Sequence, residues 1–166
     1  MYLAQMTLKE TIEAIQTDPK KAVMEFRALV RSIEGLEVLA TSRDHAIVID
    51  EPADLDGSDK GANPVEILLQ ALGACNTIAT LAFAKAMGIK IDSITTEVSG
   101  KLDLRGFLGL DPKVRPGFLE INMQTKIKSS EPREKINQLM EYAEAHCPVK
   151  DTLSKGTKVS NKLLIE

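Results

Sequence analysis

The stretch GANPVEILLQALGACNT, Gly61 to Thr77, runs from a turn into a long apolar segment and carries one of the two cysteines of the chain. Asn63 is a good N-cap, and Pro64 stands at the first helical position, where its missing N–H has no partner to lose and its φ is already helical. No charge interrupts Ile67 to Ala84, and Gly88 follows Met87 as the left-handed residue that ends a helix. The spacing predicts a helix from Pro64 to about Met87. A helix that is apolar all round belongs in a protein core or in a bilayer. Gln70, Asn76, Thr77 and Thr80, the many alanines, and the lack of a basic flank followed by an aromatic belt favour the core.

Upstream, the Pro, Gly and Asp content of Glu51 to Pro64 marks a loop. Before it, Leu36 to Ser42 and Ala46 to Asp50 read as strands joined at a tight corner, Arg43-Asp44-His45. Val23 to Ile33 fits either a strand or a helical face, and is taken as a strand that completes an antiparallel meander. Thr7 to Glu10 is a capping box opening a helix that Thr17-Asp18-Pro19 closes, with Asp18-Pro19 able to cap a second short helix. Residues 1–20 read as a helical extension of one domain spanning 1–166.

Downstream, Ile94, Thr96 and Val98 alternate with polar residues as far as Leu104, and Leu119 to Ile127 repeats the period as the antiparallel partner strand. Between them, Arg105 to Gly117 is a long connection carrying Phe107, Leu108 and Leu110, which suit a lid, an intersubunit contact or packing on their own domain. Ser130 is the expected cap of an amphipathic helix with Ile136, Leu139, Met140 and Ala143 on one face. A further short helix begins at Pro148, and Lys158 to Glu166 reads as an edge strand. The fold class is α+β, with antiparallel sheets and a long buried central helix.

The balance of 21 basic and 24 acidic residues, without a polybasic block, gives no footprint for nucleic acid or an anionic membrane, and aromatics make up only 4 %. Two cysteines without a signal-like leader predict a reducing, cytoplasmic setting. No phosphate loop, dinucleotide fingerprint or serine-hydrolase elbow is present. His45, Cys75, His146 and Cys147 lack the ligand spacing of a zinc site, so no metal is expected.

Thiol chemistry remains. A cysteine reacts as thiolate and needs a neighbouring cation or a helix N-terminus to lower its pKa. Cys147, directly before Pro148, sits at the cap of a new helix. Cys75 lies deeper in its helix and needs an arginine from another segment. On the residues alone, Cys75 reads as an inert core residue more readily than as a nucleophile.

The segment GANPVEILLQALGAC, paired with AEAHCPVKDTL at Ala143 to Leu153, resembles the two cysteine motifs of the OsmC/Ohr family of osmotically induced and organic hydroperoxide resistance proteins. The similarity extends from about Phe26 to the C-terminus, including RDHAIVIDEP at Arg43 to Pro52 and LDLRGFLGLDPKVRPGF at Leu102 to Phe118. It implies an intertwined homodimer and a thiol-dependent peroxidase needing no cofactor. In that chemistry Cys75 attacks a small hydroperoxide, Cys147 resolves the sulfenic acid as a disulfide, and an external dithiol reduces it. The family also implies an arginine on the thiolate, for which Arg43 is the first choice and Arg31 the second, and a glutamate that orients the arginine. In the hydroperoxide-resistance branch that glutamate directly follows the Asn-Pro pair; here Val65 stands there and Glu66 comes next. His45 and His146 read as packing or hydrogen-bonding residues, and Phe107, Leu108 and Leu110 as candidate walls of a substrate pocket.

Overall fold

In a computed structural model that describes residues 7–165, the chain forms two compact units, one ending at Ala62 and one beginning at Asn63. The first unit opens with α1, Leu8–Thr17. Thr7 Oγ1 accepts the Glu10 N–H while the Glu10 carboxylate accepts the Thr7 N–H, which is the predicted reciprocal cap. Asp18 ends α1 and caps a single 3-10 turn, Pro19–Ala22. Residues 1–6 of the expected extension lie outside the described residues.

A three-stranded antiparallel meander follows: β1 Leu29–Ser32, β2 Val38–Ser42 and β3 His45–Ile49, in the order β1-β2-β3. The predicted strand over Val23 to Ile33 shrinks to its last part. Only there does the chain find a partner, Leu29 opposite Thr41 through Ser32 opposite Val38. The predicted corner is a two-residue hairpin loop, since Ser42 pairs with His45.

Beyond β3, Asp50 organises the loop. It is buried, and its carboxylate accepts the backbone N–H groups of Glu51, Ser58 and Lys60 at 2.9, 3.0 and 3.2 Å. Burial pushes its pKa up, but the three N–H groups and the Lys60 charge outweigh that and hold it below 3.8. Lys60 in turn pairs with Glu37 at 2.6 Å.

The second unit is built on α2, Pro64–Met87, whose limits match those read from the sequence, with Asn63 as N-cap and Gly88 left-handed at its end. Across it lies a two-stranded antiparallel ribbon, β4 Ser93–Lys101 and β5 Glu120–Lys128, with strict alternation of half-buried and exposed positions in both strands. The half-buried face packs on α2, and the other face is polar. The connection between these strands contains a short helix, α3, Leu104–Phe107, started by Asp103.

Helix α4, Arg133–Ala145, packs on the other end of α2 and seats Leu139 against Ala84, Ile89, Phe83 and Ile136. Its N-cap is Pro132 rather than the expected Ser130. Ser129 does the nearby capping work, accepting the Glu131 N–H and donating to the Lys90 carbonyl. Helix α5, Pro148–Lys155, follows with Cys147 as its N-cap. The predicted terminal strand is not formed: residues 157–165 have no regular structure, and Glu166 lies outside the described residues.

Two outcomes test this framework. Leu139 is fully buried, so Leu139→Ala should lower unfolding stability by about 2–5 kcal/mol in urea titrations. Asp50→Asn should lower the melting temperature at pH 7. Because the folded pKa of Asp50 lies below 3.8, its contribution is complete above that value and lost as pH falls through the folded pKa. The gap between wild type and variant should therefore close on acidification below pH 3.8, and a gap unchanged at pH 2 would contradict the assignment.

Candidate active site

One stripe of α2 is buried: Leu72, Asn76, Thr80 and Ala84, spaced by four, with Gly73 beside them. Gly73 permits the helix to approach the ribbon, since a Cβ added there would stand 3.0 Å from Val98 Cγ2. Cys75 and Thr77 flank Asn76 and are half-buried. A chain of polar groups runs across the seam. Thr77 and Thr96 hydroxyls meet at 2.8 Å, Thr96 and Thr125 at 3.2 Å, and Asn76 Nδ2 donates to Thr125 Oγ1 at a long 3.5 Å. Thr80 Oγ1 donates to the Asn76 carbonyl at 2.8 Å, whereas Asn76 Oδ1 is buried with no partner.

Cys75 looks toward the start of α5. Pro148 has no N–H, so the first donor of that helix is Val149, and its N–H is directed at the Cys75 sulfur. The Cys147 thiol lies beside it. Burial pushes the Cys75 thiol above 9.0; the Val149 N–H acts in the opposite sense, and the neighbouring Cys147 thiol adds to the rise. Cys147 is only 1 % exposed, and both cysteines are free.

The remaining candidates are placed as follows. Glu66 forms a capping box: its Oε2 accepts the Asn63 N–H and Asn63 Oδ1 accepts the Glu66 N–H, both at 2.9 Å. Arg43 and Arg31 belong to the first unit. Arg43 occupies the β2–β3 hairpin loop with φ 55°, and Arg31 lies on β1. His45 begins β3. His146 ends α4, where its Nδ1 donates to the Tyr142 carbonyl at 2.8 Å and its ring stacks on Tyr142 at 4.2 Å, with Phe83 edge-on to both.

A cavity of about 530 Å³ lies in the second unit, walled by apolar residues from the start of α2, the ribbon and α5. Phe107, Leu108 and Leu110, expected to wall a pocket, do not line it and are exposed instead. The other end of the same connection does, with Arg115, Pro116, Gly117 and Phe118. The sequence reading missed Arg115, Val149 and the threonine partners of Asn76. Only the polar residues interrupting an otherwise apolar helix signalled the last of these.

The model of the OsmC-like protein family matches residues 57–162, which takes in both cysteines. The chain belongs to the OsmC-like family. No curated protein sequence matches it detectably. Among solved structures, the OsmC-like protein of Mycoplasma pneumoniae has 24 % identity and a TM-score of 0.68 over 80 % of this chain and 89 % of its own. The organic hydroperoxide resistance protein OsmC of Legionella pneumophila has 15 % identity and a TM-score of 0.61, over 80 % and 90 %. An organic hydroperoxide resistance protein of Elizabethkingia anophelis, with thiocyanate bound, has 19 % identity and a TM-score of 0.60, over 81 % and 91 %. These likenesses establish that this OsmC-like chain has the fold of the family.

The polar seam predicts a pairwise effect. Thr125→Val leaves the Asn76 amide without any side-chain partner and should cost about 1–3 kcal/mol in urea titrations. The double variant Asn76→Leu, Thr125→Val removes both polar groups and should be more stable than Thr125→Val alone.

Proposed function

We propose that this OsmC-like protein is a cytoplasmic, homodimeric thiol peroxidase that reduces organic hydroperoxides, with Cys75 as attacking thiolate and Cys147 as resolving thiol. The observation that carries this reading is the meeting of its only two cysteines, far apart in sequence, at the N-terminus of α5. The names of the Legionella and Elizabethkingia neighbours agree with it.

The Cys75 thiolate attacks one peroxide oxygen, the O–O bond breaks, and the alkoxide leaves and takes a proton as ROH. The sulfenic acid that remains is attacked by the Cys147 sulfur, forming the disulfide and releasing water. An external dithiol then supplies two electrons. With Cys147 1 % exposed, the reductant attacks the Cys75 sulfur, Cys147 leaves as thiol, and the second thiol of the reductant displaces Cys75.

The thiolate needs a cation, and Arg43 is the proposed one, oriented by Glu66. The two-residue hairpin loop puts Arg43 in a left-handed conformation that Gly or Asn adopts at less cost, so an arginine at that position points to a use for the side chain. Dimerisation is supported by the outward stripe of α2, Ala71, Ala74, Ile78, Leu81 and Ala82, on a helix whose apolar stretch is only 28 % buried. Residues 157–165 add Val159, Leu163, Leu164 and Ile165, all exposed and unpaired by any strand. A second copy is the partner that such surfaces fit.

A second reading, an OsmC-fold protein that binds a small apolar or thiol-reactive ligand without efficient turnover, is favoured by the raised pKa of Cys75. Two experiments separate them. One equivalent of cumene hydroperoxide should produce a Cys75–Cys147 disulfide in peptide mass spectrometry, and Cys147→Ser should stall at a sulfenic acid that dimedone traps. Both thiols surviving intact would sink the peroxidase reading.

Alkylation of Cys75 against pH tests its activation. The groups of the second unit alone hold the pKa above 9.0, so the rate should climb about tenfold per pH unit through pH 9. With Arg43 acting on the thiolate, the wild type should plateau below pH 9 and Arg43→Asn should restore the climb, with kcat/KM for cumene hydroperoxide falling about 100-fold. Identical profiles for the two proteins would remove Arg43 from the site.

A further inference from the structure

The cavity of the second unit has a chemical character of its own, separate from the cysteines. Val65, Leu68 and Leu72 of α2 form one wall, Phe118 and Met123 a second, and Leu153 of α5 a third. Three charged side chains border it: Arg115, Glu120 and Lys150. Glu120 is paired with Lys101 at 2.6 Å, and Lys150 with Glu144. Arg115 makes no hydrogen bond or ion pair among the described residues. One uncompensated positive charge therefore stands beside an apolar space whose size is ordinary for a small-ligand site.

The backbone of Arg115 is closely packed, while its side chain is exposed. On one side Gly106 of α3 lies so close that an added Cβ would come within 2.4 Å of the Arg115 carbonyl oxygen. On the other, the guanidinium passes over Gly117, where an added Cβ would stand 3.2 Å from Nη2. Two residues without side chains thus let α3 approach the Arg115 backbone and let the guanidinium lie over the 116–117 turn.

We propose that this cavity binds a single-chain aliphatic carboxylate, with the chain along Leu68, Leu72 and Phe118 and the carboxylate on Arg115. The planar guanidinium fork matches a carboxylate through two parallel N–H···O bonds. The apolar walls take the chain out of water. A neutral alcohol of the same length would leave the guanidinium without its anion, and a short acid would leave the walls unfilled. Binding of this kind does not depend on the redox state or activity of Cys75.

The test is calorimetric titration of the reduced full chain with octanoate, octanol and acetate. Octanoate should bind at least tenfold more tightly than octanol, acetate should not bind measurably, and nonanoate should bind about fourfold more tightly than octanoate. Arg115→Gln, on an exposed side chain and checked for an unchanged melting temperature, should bring octanoate down to the affinity of octanol and leave octanol unaltered. Gly117→Ala should weaken octanoate selectively by displacing the guanidinium. Equal affinities for octanoate and octanol, an Arg115→Gln variant that binds octanoate as the wild type does, or no octanoate binding in any oligomeric state would each overturn the proposal.

Discussion

The seam between α2 and the β4–β5 ribbon fixes the direction of every side chain on the central helix. Residues at 72, 76, 80 and 84 face inward, and Gly73 brings the backbone close enough for Val98 to fill the space its missing side chain leaves. Since each residue turns the helix by about 100°, burying Asn76 leaves Cys75 beside the seam rather than within it. A wholly apolar seam would pack equally well in several rotations. The polar chain Thr77–Thr96–Thr125–Asn76 has few alternative pairings, so it selects one rotation even though its net contribution to stability is small.

The same placement decides how far the fold can activate the thiol. The N-terminus of α5 offers Cys75 one N–H, and a helix end contributes about 0.3–1 kcal/mol to an anion, less than one pKa unit. Burial acts against it and wins, so these groups together raise the Cys75 pKa. A full positive charge at about 4 Å contributes about 4 kcal/mol in a partly polarisable setting, roughly three pKa units. The fold thus pre-positions two sulfurs, and a full positive charge beside one of them has the strength to turn it into a nucleophile.

Local chemistry made much of this architecture legible. Asn63-Pro64 and Gly88 delimit α2 because caps are decided by single residues, and the alternation in β4 and β5 follows from a ribbon with one covered face. The failures fall where structure depends on a partner. Val23 to Ala28 and Lys158 to Ile165 carry strand-forming residues, yet a strand exists only where another strand accepts its hydrogen bonds. The cysteines were distinguished by motif resemblance, not by physics, since a half-buried thiol in a helix looks the same whether it reacts or not. Arg115 was invisible for the opposite reason: an arginine in a loop is unremarkable until its neighbours prove to be two close-packed glycines and an apolar wall.

Glu66 shows how a one-residue displacement can be absorbed. At the third helical position its carboxylate turns back to the Asn63 N–H, satisfying a backbone donor that a helix start leaves orphaned. Val65, which stands where the hydroperoxide-resistance branch has its glutamate, instead helps to wall the apolar cavity. Position 65 thus carries an apolar side chain toward the cavity, and the carboxylate lies at the cap. A carboxylate has about four lone-pair sites, and the cap engages the Oε2 oxygen, so capping leaves acceptor capacity for an arginine.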